Sequence, residues 1–372
     1  MMKTALVVGG TAATGVAIVD GLRRRGFEVT IYHRGTHELP ELDDLEHIHG
    51  DPHHRDSIVS DLGSREWDVT VATYGRIRYL AEVMTPRTGQ FISVSGAPVI
   101  GPSFGVPTTE DTAYEATENA PEGLGSILSR IIETEQAVLE FGKRRLCQTT
   151  VVRYPYVYGP HAVAPLEWHV IKRVLDRRRR WTIQNGGMAL SPRCASPNAA
   201  EMIMRVLEHS DAAAGQIYNA ADSRQFTVRE WVAAIAAHMD WEFEFVDIPP
   251  AIAPLGSTSV PLAGEYSWIR KSDVESNLIR HQLISTRKAC DELGYADVVK
   301  PIEWLSTTVD HWLANPPVVD GRQGRLGPAE FDYEAEDSLL SFWDRICAMS
   351  PDLGEREVRQ HPYAHPKKQH QA

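Results

Sequence analysis

Residues 4–8 (TALVV) run directly into Gly9-Gly10-Thr11-Ala12-Ala13-Thr14-Gly15, and this junction restricts the possible folds more than any other stretch of the chain. The apolar run suits a strand buried on both faces, and the glycines close it. Beyond them, Val16, Val19 and Leu22 share one face of a helix expected over residues 15–25, which stops at Gly26. Strand, glycine turn and helix in this order bring backbone N–H groups and a helix N-terminus to one point, where the pyrophosphate of a dinucleotide can sit. Gly9 allows the tight turn, Gly15 allows close packing of helix on sheet, and Thr11, Ala12 and Ala13 leave little bulk near the phosphates. An ordinary strand-helix turn without ligand is the plain alternative. The turn also makes the run after Lys3 a first strand and not an export signal.

The pattern repeats. Strands are expected at residues 28–32, 47–49, 68–72, 90–94 and 148–153, with a long helix at 126–141 before the last of them. Strands alternating with helices indicate an α/β fold with a doubly wound parallel sheet. The second half reads as helices at 166–179, 199–209, 228–239, 286–292 and 302–313, separated by proline-rich stretches such as 249–261. After Asn315-Pro316-Pro317 comes an acidic, aromatic segment (FDYEAEDSLLSFWDRI) and a polar tail (HPKKQHQA) expected to be mobile.

The 372 residues allow two domains or one large one, with ample material for a core. There are 38 Lys+Arg against 50 Asp+Glu, a formal charge of −12, the wrong field for a general nucleic-acid or anionic-membrane binder. No apolar run is long enough to span a bilayer. Cys147, Cys194, Cys290 and Cys347 show no paired spacing, so neither a disulfide scaffold nor a zinc ribbon is expected, and the cytoplasm is the natural setting.

The end of the second strand reads the adenosine ribose: a carboxylate favours NAD, an arginine the 2′-phosphate of NADP. Here the residues are Tyr32-His33-Arg34-Gly35, so NADP is expected over NAD, with His33 and Arg34 at the cofactor; the alternative is that Arg34 is a solvated loop residue. Asp51, after the third strand, is placed to accept a hydrogen bond from the adenine amino group. His47, His49, His53 and His54 suggest a metal cluster at first sight, but no cysteine or regular ligand spacing accompanies them, and no metal site is expected.

Several segments, in order, resemble one family. VVGGTAATG is similar to its TGGTGxxG turn, FISVSGAPVIG to its serine-bearing strand, and VVRYPYVYGP to its R-P-x-x-V-Y-G-P segment. GQIYNAADSRQFTVREWVAAIAAHM, STRKACDELGY and PIEWLSTTVDHWLAN are similar to its later elements. The family is the extended short-chain dehydrogenases/reductases, which includes nucleotide-sugar epimerases and dehydratases, and the resemblance covers residues 3–314. It implies a Rossmann domain over 1–155 and a smaller mixed substrate region over 156–315, with part of 187–225 returning to the Rossmann domain. Residues 316–372 form an extension beyond the family pattern. It further implies a homodimer through two helices of the Rossmann domain, one of them at 126–141.

The resemblance also implies a catalytic Ser, Tyr and Lys. Ser95 matches the serine. Counting back from Glu135, which matches an acidic position of the family's helix, puts Ile131 at the Lys and Ile127 at the Tyr; a slip of one puts Arg130 and Ser126 there. Neither register supplies the pair, so proton transfer to a carbonyl oxygen lacks its usual agent. Three explanations stay open: another tyrosine serves (Tyr74, Tyr114, Tyr154, Tyr156 or Tyr158), the chemistry needs no tyrosine acid, or the cofactor is bound without turnover. Arg130 is either a fixed cation in place of the Lys, too basic to act as a base, or a solvated helix residue. Tyr154 and Pro155 are expected at the nicotinamide carboxamide edge. His161, Glu167, Trp168 and His169 either line a substrate pocket or pack an interface. The run Arg177–Arg180 either meets a substrate diphosphate or forms a solvated helix end. Where the family carries V-x-D-x-A, this chain has Ala195-Ser196-Pro197-Asn198-Ala199, a departure that weakens any transfer of sugar-nucleotide specificity.

The expected function is an NADP-dependent reductase or related oxidoreductase of a small organic substrate. The alternatives are a sugar-nucleotide epimerase, dehydratase or isomerase, and a cofactor-binding regulatory protein without catalysis.

Overall fold

A computed structural model describes residues 2–96, 107–111, 124–145, 147–253, 281–322 and 326–350. Tyr114, the side chains of Ser126 and Ile127, and the polar tail from 351 lie outside the described residues.

The first half alternates as its sequence pattern dictates: β1 (Lys3–Val8), α1 (Ala13–Arg24), β2 (Phe27–His33), β3 (Glu46–His49), α2 (Arg55–Leu62), β4 (Trp67–Ala72), α3 (Ile77–Met84), β5 (Thr88–Gly96), α4 (Leu124–Arg145) and β6 (Gln148–Tyr154). The second half continues with β7 (Tyr156–Tyr158), α5 (Glu167–Leu175), β8 (Arg180–Ile183), β9 (Leu190–Ser191), β10 (Arg193–Ala195), α6 (Ser196–Glu208), α7 (Ser210–Ala213) and β11 (Gln216–Asn219). Then come β12 (Phe226–Thr227), α8 (Val228–His238), β13 (Glu244–Asp247), α9 (Arg287–Leu293), α10 (Pro301–Ala314) and α11 (Tyr333–Ala348).

The main sheet has the order β11-β6-β5-β4-β1-β2-β3, with every pairing parallel. This is the doubly wound Rossmann order, and it reverses between β1 and β4, where such sheets open a crevice at their carboxyl ends. Side chains alternate across the strands. Ala5 and Val7 join α1 and α6 residues such as Ile18, Leu22, Met202 and Ile203 on one face, whereas Leu6 and Val8 join Ile58, Leu80 and Val138 on the other. Burial on both faces explains why β1 is an unbroken apolar run. A separate core around Trp181, Phe226, Trp231, Val309 and Trp312 holds the second half together.

The seventh strand, β11, is not among the strands expected from the sequence, although it lies within residues 187–225, part of which is expected to return to the Rossmann domain. Its short QIYN sequence has polar ends and gives no clear period. The helix expected over 166–179 stops at Leu175, with Arg177 at φ 55°.

The extension differs more. The extension over 316–372 is expected to be partly mobile; its polar tail lies outside the described residues, and ahead of it α11 is docked on the second half. Arg173 and Glu336, both fully buried, form an ion pair at 3.4 Å, and Arg180 holds Asp344 in a two-bond contact at 2.8 and 2.7 Å. Arg178 pairs with Asp337, and Leu340 packs with Val246, Ile248 and Ala253. Arg178 and Arg180 therefore anchor the extension through its carboxylates, whereas Arg179 lies over Trp241 at 4.3 Å.

Candidate cofactor site and its neighbours

At the sheet's reversal point, Gly9 and Gly10 adopt φ of 108° and 85°, a region that L side chains rarely enter. A Cβ on Gly9 would lie 2.4 Å from Thr73 Oγ1, and one on Gly15 would lie 2.5 Å from Gly10 Cα. The glycines thus let the ends of β1 and β4 and the start of α1 approach one another. Thr11 and Ala12 complete the turn and Ala13 opens α1. Ala12 gives the α1 N-terminus no side-chain cap, so the first amides of α1 draw no hydrogen bond from their cap residue's side chain. Open glycine backbone and an uncapped helix end fit a dinucleotide pyrophosphate.

The end of β2 is fixed to this turn. Gly9 N–H donates to the Tyr32 carbonyl at 3.0 Å, and Gly50 N–H donates to the His33 carbonyl at 2.9 Å. Arg34 follows, exposed, with its guanidinium 5.5 Å from the Tyr74 ring centroid. Tyr74 in turn meets the His53 ring edge-on at 4.8 Å, and His53 donates from its backbone to Asp51 Oδ1 at 2.9 Å. The hydrogen bonds from His53 hold the Asp51 carboxyl below the usual carboxylate range. Arg34, Tyr74, His53 and Asp51 therefore make one continuous surface at the outer end of the crevice. Tyr74, considered above as a substitute proton donor, has its ring among these adenosine-side residues and not against Ser95.

His33 itself points elsewhere. Its Nε2 lies 2.9 Å from His47 Nδ1, and burial lowers its pKa below the ordinary histidine value. The histidines that lie close in the chain divide between two places: His47 and His49 join His33 and Glu38, while His53 and His54 turn to Asp51.

Ser95 closes β5 opposite Arg153 of β6 in the parallel register. Its Oγ donates to Glu135 Oε1 at 2.5 Å, and Arg153 grips the same carboxylate through Nε at 3.1 Å and Nη2 at 2.8 Å. Glu135 is buried because α4 turns Ile131, Glu135 and Val138 towards the sheet at helical spacing. Arg130 lies on the other side of that helix and is exposed, so it does not stand in for the missing lysine. Ile131 packs instead with Ala221 and Ile284. The sequence treated Glu135 as a register marker only. The overlooked signal was Arg153, a charge inside an otherwise apolar strand, which demands a buried partner. With its proton directed to Glu135, Ser95 Oγ presents lone pairs outward. A further hydrogen bond at this oxygen is one it accepts, whereas the resemblance implies a serine that bonds a substrate oxygen.

The remaining tyrosines serve the fold. Tyr154 is buried beneath α6 and donates to the Ala199 carbonyl at 2.7 Å; burial pushes its pKa well up, so it is neither a ready acid nor a wall of the cofactor site. Pro155 beside it is buried. Tyr156 donates to Glu167 at 3.2 Å, and Tyr158 donates to Asp222 at 2.9 Å. Asn198, in the segment where the family carries V-x-D-x-A, bonds Asp222, Val298, Val299 and the Val299 carbonyl. It ties α6 to two loops. Trp168 and His169 are buried, and His169 meets Glu330 of the extension at 2.8 Å. His161 pairs with Glu41 at 2.8 Å. These groups are interface contacts.

Comparison with known proteins agrees with this architecture. Residues 64–221 match the NAD dependent epimerase/dehydratase family. A curated relative, the Arabidopsis thaliana "Chloroplast stem-loop binding protein of 41 kDa b", is 26% identical over 242 residues, covering 60% of this chain and 60% of that protein. Among solved structures, the Bacillus anthracis dTDP-glucose 4,6-dehydratase in complex with NAD superposes with a TM-score of 0.65 at 16% identity, over 84% of this chain and 97% of that one. The Thermotoga maritima UDP-glucose 4-epimerase with UDP-glucose gives 0.64 at 18% identity, over 84% and 99%. At these identities the structural likeness is one of fold. Among the described residues no helix is long and apolar enough to cross a membrane. Through residues 64–221 the chain is similar to the NAD dependent epimerase/dehydratase family, and its fold is that of the solved dehydratase and epimerase above.

Proposed function

We propose that this chain is an NADP-dependent oxidoreductase that reduces a small, already polarised organic acceptor. One observation carries the reading: the exposed guanidinium of Arg34 follows the β2 end that is bonded to Gly9, and lies over the Tyr74 ring. A planar, always charged fork there suits a 2′-phosphate, and the residues that end β2, Tyr32-His33-Arg34, supply no carboxylate to favour the free ribose hydroxyls. When bound, the cofactor supplies hydride at nicotinamide C4.

The chain's own residues set the rest. Glycine backbone and the α1 N-terminus hold the pyrophosphate, and Ser95 Oγ accepts from the substrate. Among the described residues on the sheet-facing side of α4, Ile131 and Val138 carry no proton to give and Glu135 is tied to Arg153. Reduction of an iminium carbon, or of a C=C conjugated to a carbonyl, suits such a site. Hydride adds to carbon, the π electrons move to nitrogen or into the conjugated system, and water supplies any proton needed afterwards.

The test is transfer of deuterium from C4-labelled NADPH to a panel of imines, enones and simple ketones. Label in imines or enones but not in unactivated ketones is expected. Ketone reduction at equal rate would refute the reading of the missing acid. NADPH binding with no label in any acceptor would instead favour a second reading, a non-catalytic NADP-binding protein, which the closed Ser95–Glu135–Arg153 network supports. Sugar-nucleotide chemistry is less favoured, because Arg178 and Arg180 are taken by carboxylates of the chain's own extension and Arg179 lies over Trp241. Stem-loop binding, part of the Arabidopsis relative's name, is not carried over to a chain of net charge −12. The four unpaired cysteines accord with a reducing compartment.

A further inference from the structure

We propose that His33, Glu38, His47 and His49 form a binding site for one divalent transition-metal ion of the Zn2+ class, at the outer edge of the main sheet. Their donor atoms already lie within 4.8 Å of one another.

The register of the sheet builds the cluster. His33 of β2 pairs with His49 of β3, and His47 stands two residues before His49 on the same face. The three rings meet edge-on, with centroids 5.0, 5.0 and 6.1 Å apart. Glu38 arrives from the segment after β2, held by the buried Leu39 and the 3-10 turn Pro40–Leu42. It reaches all three imidazoles: His49 Nε2 at 3.2 Å, His47 Nδ1 at 3.5 Å and His33 Nε2 at 3.8 Å.

Those separations suit a tetrahedral ion. Zn–N and Zn–O bonds near 2.0–2.2 Å place neighbouring donors about 3.3 Å apart. His33 and His47 lie 2.9 Å apart, and Glu38 meets His33 and His49 through Oε1 and His47 through Oε2 at 3.8, 3.2 and 3.5 Å, within about half an ångström of that value, while every donor pair stays within 4.8 Å. Nitrogen-rich donors with a single carboxylate select Zn2+, Co2+ or Ni2+ over Mg2+ or Ca2+, which want oxygen.

An outer partner is also in place. His47 Nε2 lies 2.8 Å from the Leu42 carbonyl, which can only accept, so Nε2 carries the proton and Nδ1 turns a lone pair into the cluster. Without metal, His33 Nε2–H donates to that lone pair. On binding, the His33 proton moves to its Nδ1, both imidazoles stay neutral, and the ion takes the place of the shared hydrogen. The side chains of His33 and His47 are only 5% and 14% exposed, whereas those of Glu38 and His49 are 43% and 58% exposed. The buried pair forms a fixed floor, and the exposed pair leaves an entrance and can close by rotamer changes.

The test uses the full chain with Zn2+ alone in calorimetry and Co2+ alone in visible spectroscopy. One tight Zn2+ per chain and the intense visible bands of tetrahedral Co2+ are expected. His49→Ala and Glu38→Gln, both at exposed positions, should each lower Zn2+ affinity by at least the ~10–100-fold that losing even an outer partner costs. His54→Ala should leave affinity unchanged, because that ring faces Asp51. Absence of a tight site, or Zn2+ affinity unaltered in both ligand variants, or equal loss in His54→Ala, overturns the proposal.

Discussion

Replacing Arg153 by Met isolates the buried pair beneath Ser95. The arginine and Glu135 side chains are 9% and 4% exposed, and two of the carboxylate's three hydrogen bonds come from the guanidinium. Removing it leaves a buried carboxylate with only the Ser95 hydroxyl. Breaking a buried ion pair on one side costs about 3–5 kcal/mol. At roughly 1.4 kcal/mol per tenfold change, that is two to nearly four decades in the folding equilibrium. The double variant Arg153→Met with Glu135→Leu leaves no stranded charge and should recover most of the loss, to within about 2 kcal/mol of the original chain. Urea unfolding followed by tryptophan fluorescence measures both. If the single variant loses less than about 1 kcal/mol, or if the second substitution adds its own loss to the first, the buried-pair reasoning fails.

Three other outcomes follow from the same structure. Burial pushes the Asp222 carboxyl up to about 6. A folded-state value above the unfolded one stabilises fully below about pH 4 and is lost as pH rises through 6, so Asp222→Asn should gain about 3 kcal/mol on the original chain between pH 4 and 7 by urea titration; a difference that is flat with pH would contradict this. Gly15→Ala should abolish NADPH binding and destabilise by at least the ~1–3 kcal/mol of overpacking, because its Cβ meets Gly10 backbone; unchanged calorimetric affinity would count against the turn as the pyrophosphate seat. Glu336→Leu should strand Arg173 and lower stability by about 3–5 kcal/mol in thermal or urea unfolding, whereas a silent change would show that α11 is not structurally docked.

The sheet was largely legible because its signals are local: β1, the glycine turn and α1 follow from residues adjacent in sequence. What remained hidden depends on distant partners. Glu135 and Arg153 look unrelated until α4 lies over β5 and β6. Arg178 and Arg180 read as an ordinary helix end because their carboxylates, Asp337 and Asp344, belong to another segment. The histidines were grouped by nearness in the chain, but parallel pairing of β2 with β3 sets His33 beside His49. The tyrosines of YPYVY were candidates by chemistry alone, and burial with specific carbonyl and carboxylate partners removes Tyr154 and Tyr158 from proton transfer.

Calorimetric titration of NADPH and NADH into the original chain and Arg34→Ala bears most directly on the central claim. NADPH should bind the original chain more tightly than NADH, and the substitution should erase that preference by weakening NADPH, at about 1.5–3 kcal/mol for a lost hydrogen-bonded charge, while leaving NADH nearly unchanged. Equal affinity for the two cofactors in the original chain, or equal weakening of both by Arg34→Ala, would contradict the assignment of NADP to this site.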